Sequence, residues 1–214
     1  MDSILTLSLL ELTIPWKTAI LIVHLIGLAI GIGAATVLDL LILRSLVKGR
    51  VSRELAGLAA STSTVVAAGL VLLWLSGIGF LFHYYFENPV GLTNPKVWAK
   101  IAIVAILTIN GFFIHKAVLP LLRRNAGSAL FDRVPPARKL AFLAAGAISA
   151  TSWYVPLALG AVKEINYVVS VETILAVYAV VLTFAVACVT VGERVLSRSA
   201  LSTRSNASPA METP

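Results

Sequence analysis

Five long apolar runs, separated by short polar segments, dominate the pattern of this chain. They cover residues 17–46, 55–82, 97–122, 139–162 and 169–191. An α-helix rises about 1.5 Å per residue, so roughly 20 apolar residues cross a hydrocarbon core about 30 Å thick. Each run is long enough to do so. The pattern therefore predicts an all-α, polytopic membrane protein built as a bundle of five transmembrane helices.

The polar segments between the runs contain residues that end or begin helices. Asn88-Pro89 precedes the third run and Pro135-Pro136 precedes the fourth, and such pairs are typical of turns. Asn94 followed by Pro95 fits the N-cap and the first position of a helix. The third helix is therefore predicted to begin at this pair.

Composition places most of the chain in lipid. Hydrophobic residues make up 58% of its 214 residues and charged residues 13%, and the mean hydropathy is +0.93, well outside the range of soluble domains. The net charge of +7 comes from residues between the apolar runs rather than from one polar face, so nucleic acid is not indicated as a partner. The single cysteine, Cys188, rules out an intramolecular disulfide.

Basic residues mark one side of the predicted bundle. They lie at or near the predicted inner ends of the runs and in the tail: Arg44, Lys48, Arg50, Arg53, Lys116, Arg123, Arg124, Arg133, Arg138, Lys139, Arg194, Arg198 and Arg204. Aromatic residues mark the opposite side at Trp16, His83 to Phe86, Trp98 and Tyr167. The positive-inside rule predicts a cytoplasmic C-terminus, an N-terminus outside, and an inner (cytoplasmic) membrane location.

The pattern divides the chain into three parts. Residues 1–15 have no basic n-region and an apolar stretch too short to span, which predicts no cleavable signal peptide but a short amphipathic helix on the outer surface, with Glu11 turned to water. Residues 16–197 form the transmembrane domain. Residues 198–214 are rich in Ser, Thr, Asn and Pro, and we expect a disordered cytoplasmic tail.

Ionisable side chains at membrane depth are the main candidates for function, because burying them is unfavourable without a role or a partner. His24 lies about 12 Å along the first helix from its outer end. Gly27 and Gly31 follow on nearly the same face. This face suits either close helix packing or a slot for a planar macrocycle whose metal the imidazole binds.

Three further residues are candidates for the same region. Lys100 lies at a depth similar to that of His24, where it either snorkels to the interface or supplies a fixed cation to a carboxylate. Asn110 lies nearer the midplane, where its amide forms a hydrogen bond either with a neighbouring helix or with a ligand. His83 ends the second run and is either a solvated interfacial residue or a second metal ligand.

At the inner end, His115 lies too far from His24 to share a metal. Asp39 has a depth comparable to His115 and Lys116, so we expect an ion pair or hydrogen bond that joins helices one and three.

The transmembrane runs contain no methionine, which argues against His/Met ligation and against a copper channel. Phosphate-binding, zinc-protease and serine-hydrolase motifs are also lacking.

Two segments resemble a known family pattern. They are His24-Leu-Ile-Gly-Leu-Ala-Ile-Gly-Ile-Gly33 and Lys100-Ile-Ala-Ile-Val-Ala-Ile-Leu-Thr-Ile-Asn110-Gly111, the latter followed by His115-Lys116 and Pro120. Over roughly half of its length the chain resembles the membrane protoporphyrinogen oxidases of the J type and, more distantly, the copper-resistance D membrane domain. The resemblance implies a helical bundle associated with haem b, with His24 as the family's first-helix histidine and Lys100 as its lysine. Asn110 stands where the oxidase pattern more often has a histidine, so haem binding is implied more directly than porphyrinogen oxidation.

The function predicted is therefore a membrane redox protein that binds haem b or a porphyrin near the outer leaflet. His24, Gly27, Gly31, Lys100 and Asn110 are the predicted cofactor-binding residues, and His24 with His83 the metal ligands. This prediction includes an oxidoreductase activity and a redox partner or quinone. It also includes a homo-oligomer whose subunits contact one another through faces of small residues. Two alternatives stay open: a metal-ion or small-solute carrier or channel, and a non-catalytic membrane subunit of a complex.

Overall fold

The computed structural model of the protein describes residues 4–7, 12–132 and 134–206, with side chains over residues 15–132 and 134–196. Its body consists of long helices: α1 (Trp16–Lys48), α2 (Arg53–Glu87), α3 (Pro95–Arg124), α4 (Pro136–Ala161) and α5 (Val171–Asn206). Five helices within the described residues are long and apolar enough to cross a membrane. The predicted all-α bundle of five membrane-length helices is confirmed.

A short hairpin precedes α1. Strand β1 (Ile4–Leu7) pairs in antiparallel fashion with β2 (Leu12–Pro15). The amphipathic helix predicted for residues 1–15 is therefore wrong for the part described. Threonine and isoleucine in both strands favour extended backbone, and an apolar run this short does not reveal its period. The predicted position of Glu11 lies outside the described residues.

Helix α5 is longer than the sequence suggested. It continues to Asn206, so residues 198–206 are helical rather than disordered. Adding residues to an existing helix avoids the unfavourable nucleation step, and even a polar segment can then extend it. The remainder of the predicted tail, residues 207–214, lies outside the described residues.

Local capping sets where α2 and α3 begin. Ser52 is the N-cap of α2, and its hydroxyl accepts a hydrogen bond from the backbone N–H of Leu55 at 3.1 Å. Asn94 is the N-cap of α3, and its side chain accepts one from the N–H of Lys96 at 3.1 Å. The predicted start of the third helix at Asn94 and Pro95 is confirmed.

Helices α1 and α2 form an antiparallel pair, with α4 packed on α1 at the crossing. Trp16 donates to the Glu87 carboxylate at 2.6 Å at one end of the pair. We call this the outer end, following the charge-based prediction. At the other end, which we call the inner end, the segment between α1 and α2 contacts the loop after α3. The N–H of Val51 donates a hydrogen bond to the carbonyl of Ser128 at 2.8 Å.

Helix α3 is not α-helical throughout. It is an α-helix from Pro95 to Phe113, widens to a π-helix over Ile114–Val118, and is α-helical again over Leu119–Arg124. Pro120 explains this widening. A proline has no N–H and its ring collides with the carbonyl four residues earlier, and the wider turn accommodates that collision while the helix continues.

Polar contacts between the helices tie the bundle together. The helices have few other means of specific association in lipid, where apolar contact alone does not favour protein over lipid. The bonded pairs are Trp74 Nε1 with Thr108 Oγ1 at 3.0 Å, Asn110 Nδ2 with Ala145 O at 2.9 Å, Ser152 Oγ with Tyr178 Oη at 2.8 Å, and Thr36 Oγ1 with Tyr154 Oη at 2.8 Å.

Candidate functional site

His24 lies in the outer half of α1 and bonds α2. Its Nδ1 is 2.9 Å from the hydroxyl of Ser76, whose oxygen also lies 2.6 Å from the carbonyl of Leu72. The same oxygen lies 3.2 Å from the carbonyl of Leu73, and its single proton can be donated to only one acceptor at a time. When the proton of Ser76 points to either carbonyl, the hydroxyl accepts from His24, and the imidazole proton is then on Nδ1 with the Nε2 lone pair free.

The surroundings of His24 are otherwise apolar. The ring of Phe80 meets the imidazole edge-on, with ring centroids 5.6 Å apart. Within the described part of the chain, Nε2 of His24 makes no hydrogen bond. An imidazole held by a bond at one nitrogen, with the other nitrogen unprotonated, has the tautomer that binds a metal or accepts a proton.

The glycine face beside His24 is filled by protein. A Cβ placed on Gly27 would lie 2.8 Å from Cβ of Leu72, and the indole ring of Trp153 lies directly against Gly31. Gly69 of α2 approaches so closely that its own Cβ would lie 2.6 Å from Cα of Gly31. The two glycines serve close helix packing, and the slot for a macrocycle expected at Gly27 and Gly31 is not present at this face.

His83 lies on α2 nearer the outer end than Ser76. It is buried, its Nδ1 lies 3.2 Å from a carboxylate oxygen of Glu87, and its ring meets that of Trp16 at a centroid distance of 5.2 Å. The offset of seven residues from Ser76 equals about 10 Å along the helix axis.

These positions separate the two histidines that were predicted to share a metal. Two imidazole nitrogens on one metal lie at most about 4 Å apart, because each metal–nitrogen bond is about 2 Å. His24 is held at Ser76, whereas His83 leans outward to Trp16. No group of three or more metal-ligating side chains occurs among the described residues. The geometry therefore retains His24 as a candidate ligand and does not support His83.

Two lysines of α3 lie near the outer end and have different surroundings. Lys96 is buried and donates to the carbonyl of Val162 at 2.5 Å and to Asn166 at 2.9 Å, so it satisfies the C-terminal end of α4. Lys100 lies one turn deeper and is close enough to His24 for electrostatic interaction. Its Nζ would lie 3.6 Å from a Cβ on Gly160, so the bare backbone there leaves room for the ammonium group.

Lys100 is half-buried, and Gly160 beside its Nζ belongs to the outer end of α4. Both alternatives given by the sequence, an extension to the interface and a fixed cation near His24, therefore stay predictions. Lys100 forms no ion pair with any side chain that the structure describes. Sequence reasoning missed Lys96, although its position directly after the N-cap of α3 could have indicated a residue that reaches the neighbouring helix end.

Asn110 takes part in helix packing. It is buried, and its amide donates to the backbone carbonyl of Ala145 in α4 at 2.9 Å. This bond is the interhelical alternative that the sequence allowed, and it lies more than two turns inward from Lys100. Asn110 therefore does not join His24 and Lys100 in one site.

Replacement of Asn110 by leucine should lower the stability of the α3–α4 contact by about 1 kcal/mol, the usual size of such a bond within a membrane. The measurement is the thermal unfolding midpoint of the detergent-purified protein. Thr183→Val is the matched control, because the hydrogen bond that the structure describes for the Thr183 hydroxyl goes to Ala179 in its own helix. Equal midpoints for the two variants would contradict the assignment.

The inner ion pair expected for Asp39 is not found. Neither His115 nor Lys116 bonds Asp39 in the described part of the chain, and α1 packs mainly on α2 and to a smaller extent on α4. A shared depth along the membrane does not fix the direction in which a helix faces, and the sequence supplied only depth. His115 and Lys116 are both exposed.

Comparison of this chain with protein-family models, curated proteins and solved structures finds no match. The resemblance to the J-type protoporphyrinogen oxidases and the copper-resistance D domain stays a sequence-based prediction. The structure supports a coarser class: a multi-pass membrane protein whose candidate site combines His24, Ser76 and Lys100 in one half of the bundle.

Proposed function

We propose that this protein is a membrane redox protein that binds haem b, or a related porphyrin, through Nε2 of His24. The observation that carries the proposal is the hydrogen bond between Nδ1 of His24 and the hydroxyl of Ser76. Metal-bound histidines regularly donate their second ring N–H to a neighbouring acceptor, which fixes the tautomer and orients the ring. Ser76 supplies such an acceptor here.

Lys100 is the second element that supports the proposal. A cation near His24 suits the carboxylates of a porphyrin, and it has no acidic partner among the described residues. Burying a cation in a membrane without a partner is unfavourable, so such residues tend to serve a ligand. We assign Lys100 to binding and orientation rather than to ligation of the iron.

The donor set fits a haem held by one imidazole and does not fit one held by two. His24 offers a free nitrogen, whereas His83 is held away by Trp16 and Glu87. The macrocycle also cannot lie against Gly27 and Gly31, because α2 and Trp153 occupy that face. When bound, haem would supply one-electron redox chemistry, and the protein would bind it, orient it and limit its contact with water.

The proposal includes a location in the inner membrane and an exchange of electrons with a quinone or a protein. It also includes assembly into a homo-oligomer. A homo-oligomer would need a surface other than Gly27 and Gly31, which are already used within the chain. The carrier and the non-catalytic subunit stay predictions, because no contact described above favours either one.

The test is the visible absorption spectrum of detergent-purified protein from haem-replete cells, oxidised and reduced with dithionite. We expect a Soret band and reduced α and β bands in the parent, loss of these bands in His24→Ala, and a weaker, shifted spectrum in Ser76→Ala. His115→Ala is the matched control, since His115 is exposed near the inner end. A colourless parent that also fails to bind added haemin would contradict the proposal.

A further inference from the structure

A cavity with basic walls opens at the inner end of α3 and α4. Its volume is about 500 Å³. Lys116 and Arg124 line it from α3, Arg138 lines it from the first turn of α4, and Asn125 and Asp132 line it from the connecting loop. We call this the basic cavity. Three cations face one carboxylate here, so the cavity favours an anionic group.

Among the described residues, one carboxylate, that of Asp132, lines the cavity with the three cations. None of Lys116, Arg124 and Arg138 forms an ion pair within the described part of the chain. Lys116 lies in the π-helical turn Ile114–Val118, whose extra residue shifts it around the helix relative to a continuous α-helix. Such turns often occur at functional sites, and this one brings Lys116 to the wall of the cavity.

An apolar groove continues from the basic cavity into the membrane-spanning part of the bundle. Its volume is about 380 Å³. Phe113 and Ala141 line both spaces, and the groove extends from them to Ile106 on α3 and Ile148 on α4. Seven residues on each helix correspond to about 10 Å of depth. The alanines at 141 and 145 leave this space between the helices open.

We propose that the two spaces together bind one anionic phospholipid, with its phosphate in the basic cavity and part of an acyl chain in the apolar groove. The charge of the cavity matches a phosphate, and the adjoining groove matches a hydrocarbon chain that enters the membrane beside it. A soluble phosphate would use only the first of these. Basic pockets at the cytoplasmic ends of transmembrane helices are a recurring form of anionic lipid recognition.

The proposal is tested by lipid titration of the full-length purified protein, with binding read by native mass spectrometry. Phosphatidylglycerol and phosphatidylcholine with identical acyl chains are compared, together with inorganic phosphate. We expect selective binding of phosphatidylglycerol. In the double variant Lys116→Gln/Arg138→Gln its affinity should fall about 30-fold, from the usual contribution of a basic residue near an anionic lipid.

The matched control is Lys48→Gln/Arg123→Gln. It removes the same charge from the inner end, and neither residue lines the cavity. Its affinity for phosphatidylglycerol should stay within about twofold of the parent. Equal binding of the two lipids by the parent, or an equal loss in both double variants, would overturn the proposal.

A second pair of variants tests the apolar groove. Ala141→Trp places an indole where groove and cavity meet, whereas Leu140→Trp alters a neighbouring residue that lines neither space. We expect Ala141→Trp alone to weaken phosphatidylglycerol binding. If both variants bind the lipid like the parent, the groove has no part in binding. If inorganic phosphate competes fully with the lipid in the parent, the cavity recognises a free anion. Either outcome would overturn the proposal of one lipid that occupies both spaces.

Discussion

Replacement of Gly69 by alanine should destabilise the bundle, and replacement by leucine should do so more strongly. A Cβ at this position would lie 2.6 Å from both Cα and N of Gly31 and 2.8 Å from the carbonyl oxygen of Gly27. All three neighbours are backbone atoms of α1, so no side chain can turn aside. The two helices must move apart, and overpacking of this kind costs about 1–3 kcal/mol or more.

The measurement is the unfolding midpoint in detergent, followed by intrinsic fluorescence or by loss of the monodisperse elution peak. Gly77→Ala on the same helix is the control, because a Cβ there meets nothing within 4 Å. Its midpoint should equal or exceed that of the parent, since alanine favours helix more than glycine does. A Gly69→Ala protein as stable as Gly77→Ala would show that α1 and α2 do not cross at this contact.

Truncation of Trp153 to alanine should be the most destabilising single change in α4. The side chain is 2% exposed and its ring lies against Gly31. Loss of a buried tryptophan leaves a cavity and costs about 3–5 kcal/mol in well-packed proteins. Leu157→Ala on the same helix is the control, because Leu157 is 41% exposed and its removal leaves no enclosed cavity.

Trp153→Phe separates packing from polarity at the same position. Nε1 of Trp153 is buried and has no hydrogen-bond partner among the described residues, a condition that usually costs about 1–3 kcal/mol. Phenylalanine removes this donor but loses some volume. We expect an unfolding midpoint much closer to that of the parent than to that of Trp153→Ala. If the two variants unfold together, the volume that phenylalanine retains does not stabilise the protein, and the expectation is wrong.

The candidate site was partly accessible from the sequence. His24 and Lys100 were selected because both are ionisable and lie at a similar distance from an outer end, and the structure brings them near each other. Ser76 was not selected, because a serine in an apolar run carries no signal of its own. Its partnership with His24 depends on how α2 lies against α1.

The errors have the same origin. Gly27 and Gly31 allow both close helix packing and space for a ligand, and only the positions of Gly69 and Trp153 decide between the two. Asp39 was paired with residues at its own depth, yet two helices interact only where their faces meet. The cavities near Arg138 were also missed, since they arise between α3 and α4 rather than within either one.

The sequence by itself determined the five membrane-length helices and where polar segments interrupt them. A chain in lipid must satisfy its backbone hydrogen bonds locally, so length and hydropathy alone predict a helix. Neither quantity carries information on which faces of two helices meet. Only the tertiary structure decided three features, because each is formed by residues from different helices. They are the approach of Gly69 to Gly31, the bond between His24 and Ser76, and the basic cavity beside Arg138.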